Sequence, residues 1–445
     1  MIDRRNIQGF VVRGYRLPFA AYVYLRVDDA AKARVALTEF LPQVITAEHW
    51  TDKPESGINV AFSFAGLKAM GVGERTLDAF PAEFKAGMAA RAQVLGDIGD
   101  SAPDHWEEPF RTGEAHVLVM VSAFSQAALE ARNGRVREAV ERLGGGAVVG
   151  AQLGGVLEGG REHFGYADGF SQPAIEGSRF DDHPGAGAPG KNGDWRPIAA
   201  GEFILGYPDE QGALPHAPRP DELSRNGSYV VYRKLRQDVA AFRRQLAEAA
   251  RLYPGGEELL AAKLVGRWRD GTPLDASPHA EDASLVADKA RNNAFDYGRD
   301  PDGLRCPVGS HIRRMNPRLS MPFEGKLVNR HRLIRRGITY GEMLPEGVTD
   351  DDGADRGVIF MTVQASLARQ FEFVQAQWAN TGNPFRLGDD QDPIIGPMDS
   401  DGLNKMTVPG RPPFFYGPLS RVVTMRGGEY YFAPGINGLR QLAAG

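Results

Sequence analysis

Two periodicities alternate in a fixed order through the first third of the chain, and that order restricts the fold more than any single residue does. "AAYVYLRVDD" reads as a strand, and "AAKARVALTEFLPQVI" then sets Ala33, Leu37, Phe40 and Leu41 on one helical face. "INVAFSFAGLKAMGV" runs from strand into short helix, "HVLVMVSAF" is a strand, "SQAALEARNGRVREAVERLG" is a helix capped by Gly144, and "GAVVGAQLGGVLE" is a closing strand. The order is β-α-β-β-α-β. Each helix has one apolar stripe to bury, so the pattern calls for an antiparallel sheet carrying both helices on one face.

The same grammar returns after residue 200. "SYVVYRKL" is a strand that leads into "RQDVAAFRRQLAEAARL", where Val239, Phe242, Leu246 and Ala249 keep helical spacing. Later, "GVIFMTVQA" leads into the helix "SLARQFEFVQAQWAN", and "RVVTMRGGEYYFAP" reads as a closing hairpin about Gly427 and Gly428. The expected fold class is therefore α+β, with two ferredoxin-like halves, each an antiparallel sheet with helices packed on it. Residues 1–175 form the first half and 201–445 the second. Between them, 176–200 contains "SRFDDHPGAGAPGKNGDW", whose Gly, Pro and Asp content predicts a long loop or linker.

A chain of 445 residues has room for two or three domains, and 42% hydrophobic with 24% charged residues is the balance of a globular protein. Its 52 basic and 57 acidic side chains leave a net charge of −5, which argues against a broad nucleic-acid-binding face. Cys306 is the one cysteine, so internal disulfides, Cys-X-X-Cys redox pairs and cysteine-rich metal sites are excluded, and a reducing, cytoplasmic setting is expected. The start of the chain shows no signal-peptide run, and no stretch approaches the ~18 apolar residues of a membrane span. P-loop, dinucleotide, His-Glu-X-X-His and Gly-X-Ser-X-Gly elements are all missing; Gly169 and Ser171 begin the last of these, but Pro173 stands where its second glycine belongs.

What remains is a small set of isolated residues. "HFGYADGFSQPAIEG" places Asp168 between Gly165 and Gly169, with Phe164, Tyr166 and Phe170 around it; Asp-Gly by itself is only a turn signal. "CPVGSHIRRMNPR" sets His311 ahead of Arg313, Arg314 and Arg318, and "RHRLIRRGITYG" adds Arg330, Arg332, Arg335 and Arg336. A solitary histidine is either a hydrogen-bonded core residue or a ligand. The arginines are either a solvated basic face or a site for planar anions such as carboxylates; base stacking would want interleaved aromatics, which this segment lacks. A haem presents two propionates and an iron that accepts imidazole, so one basic segment beginning with a histidine would serve all three.

Taken in order, these segments resemble the dye-decolourising peroxidases. "GYADG" followed by "FSQP" is similar to their Gly-X-X-Asp-Gly signature, "CPVGSHIRRMNPR" to their proximal-histidine segment, and "RRGITYG" to the segment with their distal arginine. "NIQGFVVRGY", "GEFILGY", "NGSYVVYRKL", "FEFVQAQWAN" and "DPIIG" extend the likeness over essentially the whole chain. Length and the missing signal peptide point to the larger, non-secreted bacterial branch. The resemblance implies haem b in the C-terminal half, with His311 as axial iron ligand, Asp168 as distal acid/base and Arg335 as distal cation. Thr339 stands where the family commonly has proline before its aromatic-Gly pair, here Tyr340-Gly341. Asp392 matches the carboxylate that holds the axial imidazole, a bond that fixes the ring and raises its donor strength.

Further cofactor contacts implied are Gly165 and Gly169, whose backbone would pass close to the porphyrin, together with Phe170, Ser171, Arg313 and Phe360. The implied activity uses hydrogen peroxide to oxidise bulky aromatic or dye-like donors in one-electron steps, without nucleic acid or membrane and with room for a homo-oligomer. Tyr340 and Trp378 are either packing residues or surface aromatics that relay electrons. Two rival readings stay open: a haem-binding or haem-handling protein with incidental peroxidase activity, and a haem-free scaffold in which His311 is structural.

Overall fold

The computed structural model describes residues 1–180, 182–190, 194–322, 325–398 and 404–445. The first half follows the order read from the sequence: β1 (Phe19–Val27), α1 (Ala30–Phe40), β2 (Ser56–Phe62), β3 (Val117–Ala123), α2 (Gln126–Leu143) and β4 (Gly146–Gly155). Both helices are capped by local chemistry. Asp29 and Ser125 accept backbone N–H bonds at the two N-termini, and Gly144 takes the left-handed conformation (φ 62°) that ends α2.

The second half repeats the plan with β5 (Ser228–Gln237), α3 (Val239–Ala250), the short α4 (His311–Met315), β6 (Ile334–Arg335), β7 (Ile338–Tyr340), β8 (Gly357–Gln364), α5 and β9 (Val423–Ala433). The helix α5 is wound as two π-helical runs, Leu367–Glu372 and Val374–Ala379, a rare geometry that occurs frequently at functional sites. The sheet order is β4-β1-β3-β2-β9-β5-β8-β6, with β7 also pairing β8. Each half therefore has its fourth strand beside its first, then its third, then its second. The halves join through a single pairing of Phe62 with Phe432.

At the other end β4 reaches β7, where Thr339 Oγ1 donates to the Gly155 carbonyl. A Cβ on Gly154 would lie 2.5 Å from Ile338 Cγ2, so only glycine lets these backbones meet and close the sheet into a barrel. Tyr24 of β1 and Tyr232 of β5, which are not neighbours in the sheet, join hydroxyls across the interior.

Two expectations are revised. The segment 421–434 is not a hairpin: β9 runs straight through Gly427 and Gly428, with a bulge between Met425 and Gly427. A Cβ at Gly427 would stand 2.4 Å from the Phe110 ring, so the glycine makes room for packing and not for a turn. The 176–200 segment is not featureless either, since Ala188–Pro189 pairs with Trp195–Arg196 and Ile198 bonds back to Ala174; residues 181 and 191–193 of this segment lie outside the described residues.

Candidate active site

The outward face of the second half-sheet forms one wall of a cavity of ≈ 380 Å³. Strand alternation sends Arg233, Leu235 and Gln237 of β5 to this face, beside Val358 and Phe360 of β8 and Met425 of β9. His311, Ile312 and Met315 of α4 line the cavity as well, as do Phe371 and Val374 of α5.

His311 is the first residue of α4, with 28% of its side chain exposed, while Asp392 behind it is fully buried. Its Nδ1 lies 2.9 Å from Asp392 Oδ2, and the other carboxylate oxygen accepts the backbone N–H groups of Ile394 and Ile395 at 2.9 and 3.0 Å. Burial disfavours the imidazolium, yet the charge and hydrogen bond of Asp392 carry His311 above the ordinary imidazole value. Burial would likewise raise Asp392, but His311 and Arg314 hold it below the usual carboxylate range. The ring is thus oriented through Nδ1, and among the described residues Nε2 has no hydrogen-bond partner.

Asp168 and Arg335 face the same cavity, close enough for both charges to act on His311. Arg335 Nη2 stands 3.5 Å from Asp168 Oδ1, with side-chain exposures of 45% and 70%. Arg335 ends β6, and its backbone N–H is held by Gln172 Oε1 at 2.8 Å. Asp168 leaves a turn built around Glu162, whose carboxylate accepts the N–H groups of Phe164 and Tyr166 and the side-chain amide of Gln237. Positive φ angles at Gly165 (94°) and Gly169 (85°) shape that turn. Neither glycine is itself on the cavity wall; Gly165 packs toward Arg269, whereas the space beside Gly169 is open.

Of the remaining expected contacts, Phe360 is on the wall, and so is Ser171, whose Oγ accepts from Asn293 at 2.7 Å. Phe170 is there too, packed on Gly271 with the Arg267 guanidinium 5.0 Å from its ring. Arg313 is not. Two residues past His311 on a helix it points to another side, where Asp300 and the Cys306 carbonyl accept from the two terminal nitrogens of its buried guanidinium. Tyr340 and Trp378 are 3% and 2% exposed, so neither is a surface aromatic.

Besides Arg335, the wall carries Arg233, which is paired with Asp97, and Arg421; its remaining cations are Arg267, Arg318 and Arg332, all buried. They donate only to carbonyls and asparagine oxygens: Arg267 to Gly271 and Asn292, Arg318 to Asn293 and Phe295, Arg332 to Ala186 and Gly187. Among the described residues no carboxylate pairs with them. Burial, then the neighbouring arginines, pushes Arg332 down to about 9, and burial takes Arg267 down to about 10. Buried charge without a counter-ion is costly, so this wall is built to receive an anion. Arg318 and Arg332 stand in the arginine-rich segment of the sequence, but Arg267 and Glu162 carry no local signal and are found only through the fold.

The DyP dimeric alpha+beta barrel domain family matches residues 6–144. A dye-decolorizing peroxidase of Mycena epipterygia is 33% identical over 493 residues, which span 100% of this chain and 87% of that protein. This chain belongs to the dye-decolorizing peroxidase family. The multifunctional dye peroxidase DyP2 of Amycolatopsis is 32% identical, covering 99% of this chain and 96% of its own. A solved dye-decolorizing peroxidase in complex with 2,6-dimethoxyphenol is 29% identical, covers 100% of both chains and superimposes with a TM-score of 0.85.

Dye-decolorizing peroxidases are haem enzymes, and the cavity fits that group. An imidazole with a free Nε2 suits iron, and three guanidinium groups without carboxylate partners suit the two propionates. No helix among the described residues is long and apolar enough to cross a membrane.

Proposed function

We propose that this chain is a haem b peroxidase that uses hydrogen peroxide to oxidise aromatic and dye-like donors. One juxtaposition carries the reading: the oriented imidazole of His311, the Asp168–Arg335 pair and the unpaired guanidinium groups all face one cavity. Bound haem would supply the iron that takes peroxide and holds its oxidising equivalents.

The chain's own residues supply the rest. His311 Nε2 would ligate the iron while Nδ1 donates to Asp392, which keeps the ring in one tautomer and strengthens its donation. Arg267, Arg318 and Arg332 would hold the propionates. Asp168 takes the proton of the entering peroxide on a carboxylate oxygen and returns it to the departing one. Arg335, fixed at its backbone by Gln172, meets the negative charge that develops as the peroxide bond lengthens. Leu235, Val358 and Phe360 give the sheet wall of the cavity its apolar surface. The phenolic ligand of the solved relative supports a small aromatic donor. The single, buried cysteine accords with a cytoplasmic location.

The test is an absorption scan of the purified protein for a Soret band, followed by steady-state dye oxidation beside the rate of haem loss. Rapid turnover with firmly held haem is expected. Ready haem release with slow turnover would make the chain a haem-handling protein, and no Soret band after reconstitution would make His311 structural.

A further inference from the structure

One polar network beside the cavity has no part in the chemistry above. Tyr430 of β9 is fully buried, and its hydroxyl donates to Glu372 Oε1 at 3.0 Å. Glu372, also buried, accepts two bonds of 2.8 Å from Arg91, which comes from the first half of the chain and is 32% exposed. Phe371 precedes Glu372 on α5 and lines the cavity; its ring centroid is 6.2 Å from that of Tyr430 and 6.3 Å from that of Phe360, another wall residue. Tyr430 is therefore one ring removed from the cavity, with a carboxylate already on its O–H.

That combination separates it from the other tyrosines. Among the described residues only Tyr430 and Tyr340 present a hydroxyl to a carboxylate, and the partner of Tyr340 is Asp355, half exposed. Tyr166 donates to a carbonyl, Tyr15 to an asparagine, and Tyr24 and Tyr232 to each other. Burial, reinforced by Glu372, holds Tyr430 far above the ordinary phenol value, so it stays protonated and can release an electron readily only if its proton leaves too.

Resting on the peroxidase reading, we propose that Tyr430 is a buried oxidation site whose proton acceptor is Glu372. One electron passes from the phenol to the peroxide-oxidised cofactor, which is reduced by one equivalent. The O–H bond of Tyr430 breaks, an O–H bond forms on Glu372, and a neutral tyrosyl radical remains. Phe371 is the packed medium for this transfer and is not itself oxidised. Arg91 keeps its hydrogen bonds to the neutral carboxyl and links it to solvent. Because Tyr430 has no exposed surface, no bulky donor can reach it, and the site serves to draw oxidising equivalents off the cofactor when donor is scarce.

The experiment uses reconstituted holoenzyme mixed with stoichiometric peroxide and no donor, freeze-quenched and read by electron paramagnetic resonance, with ring-deuterated tyrosine to identify the radical. Wild type should give a tyrosyl signal that narrows on deuteration; Y430F should lose most of it, and Y340F should keep it. E372Q retains Tyr430 and removes the proton acceptor, so it too should lose most of the signal. A signal that largely survives in Y430F overturns the proposal, and should Y430F not fold, survival in E372Q does the same. The Soret band is followed in each sample: if peroxide leaves it unchanged in wild type, the peroxidase reading falls and takes this site with it. If it responds while Y430F keeps its signal, this proposal alone falls.

Discussion

The cavity is served by two charged pairs, and they are built differently. His311 and Asp392 meet at 2.9 Å, with the carboxylate fully buried and its second oxygen tied to two backbone N–H groups. Asp168 and Arg335 stand 3.5 Å apart with side chains 70% and 45% exposed. A group that must hold a metal gains from being fixed beforehand, because every alternative orientation of the ring weakens the bond. A group that must take up and return a proton gains from a partner that does not lock it, and a loose ion pair in a wet setting contributes little to stability. On the proposed peroxidase reading, the first pair would be anchored for binding and the second left open for exchange.

The widest break in this comparison comes from His311→Ala. It removes the only imidazole that the described residues place on the cavity wall, so the purified variant should carry no Soret band after haem reconstitution, whereas loss of the looser pair should leave haem in place. Asp168→Asn keeps the shape and deletes the base. Stopped-flow mixing with peroxide should show its reaction slowed by ~10²- to 10⁴-fold, the usual range for a positioned acid–base group, with the Soret band intact. Undiminished rates in Asp168→Asn would return that residue to the status of a turn aspartate.

The arginines sharpen the contrast. Arg335→Leu should slow the peroxide reaction by ~10²- to 10³-fold, as removal of a preorganised donor to developing negative charge does. Arg332→Leu should leave that step near wild type and speed haem dissociation, because Arg332 belongs to the buried cluster without carboxylates. If the two variants changed places in these assays, the assignment of propionate and peroxide cations would be reversed.

Much of this was legible in the sequence, and the failures have physical causes. The strands and helices of the first half, and β5, α3 and β8 of the second, match the sequence reading because each carries its periodicity within a dozen residues. Barrel closure was not legible, since it depends on Gly154 meeting Ile338, residues far apart in the chain whose contact leaves no local pattern. The glycine pair in β9 looks like a turn in the sequence because a sequence does not show that Phe110 needs the space. His311, Asp168, Arg335 and Asp392 came from motif resemblance, and the structure brings all four to one place. Arg313 was the wrong arginine of its segment: helix geometry turns position i+2 away from position i, and the cavity is met by Arg318, which follows the helix, and by Arg267 from another segment.

The finest test of the anchored pair is Asp392→Asn, a change of one atom. Asp392 now accepts on both oxygens, from His311 on one and from Ile394 and Ile395 on the other, and it is held ionised by His311 and Arg314 against the cost of burial. Asparagine has one acceptor oxygen and one donor nitrogen. If the oxygen serves the two backbone N–H groups, the amide N–H faces Nδ1 and forces the tautomer that carries its proton on Nε2, the atom the iron needs. If the oxygen serves Nδ1, two backbone donors oppose the amide nitrogen and the loop must shift. Either way the imidazole is a poorer ligand, and the loss should match the ~10- to 100-fold seen when a partner behind a metal-ligating histidine is removed. Transfer of haem to an excess of an apo-globin acceptor would measure it as faster dissociation, with Asp392→Glu expected to recover part of the difference because it restores two acceptors and the charge. Equal dissociation rates in wild type and Asp392→Asn would mean that the carboxylate only caps its loop, and that the ring of His311 is oriented by packing.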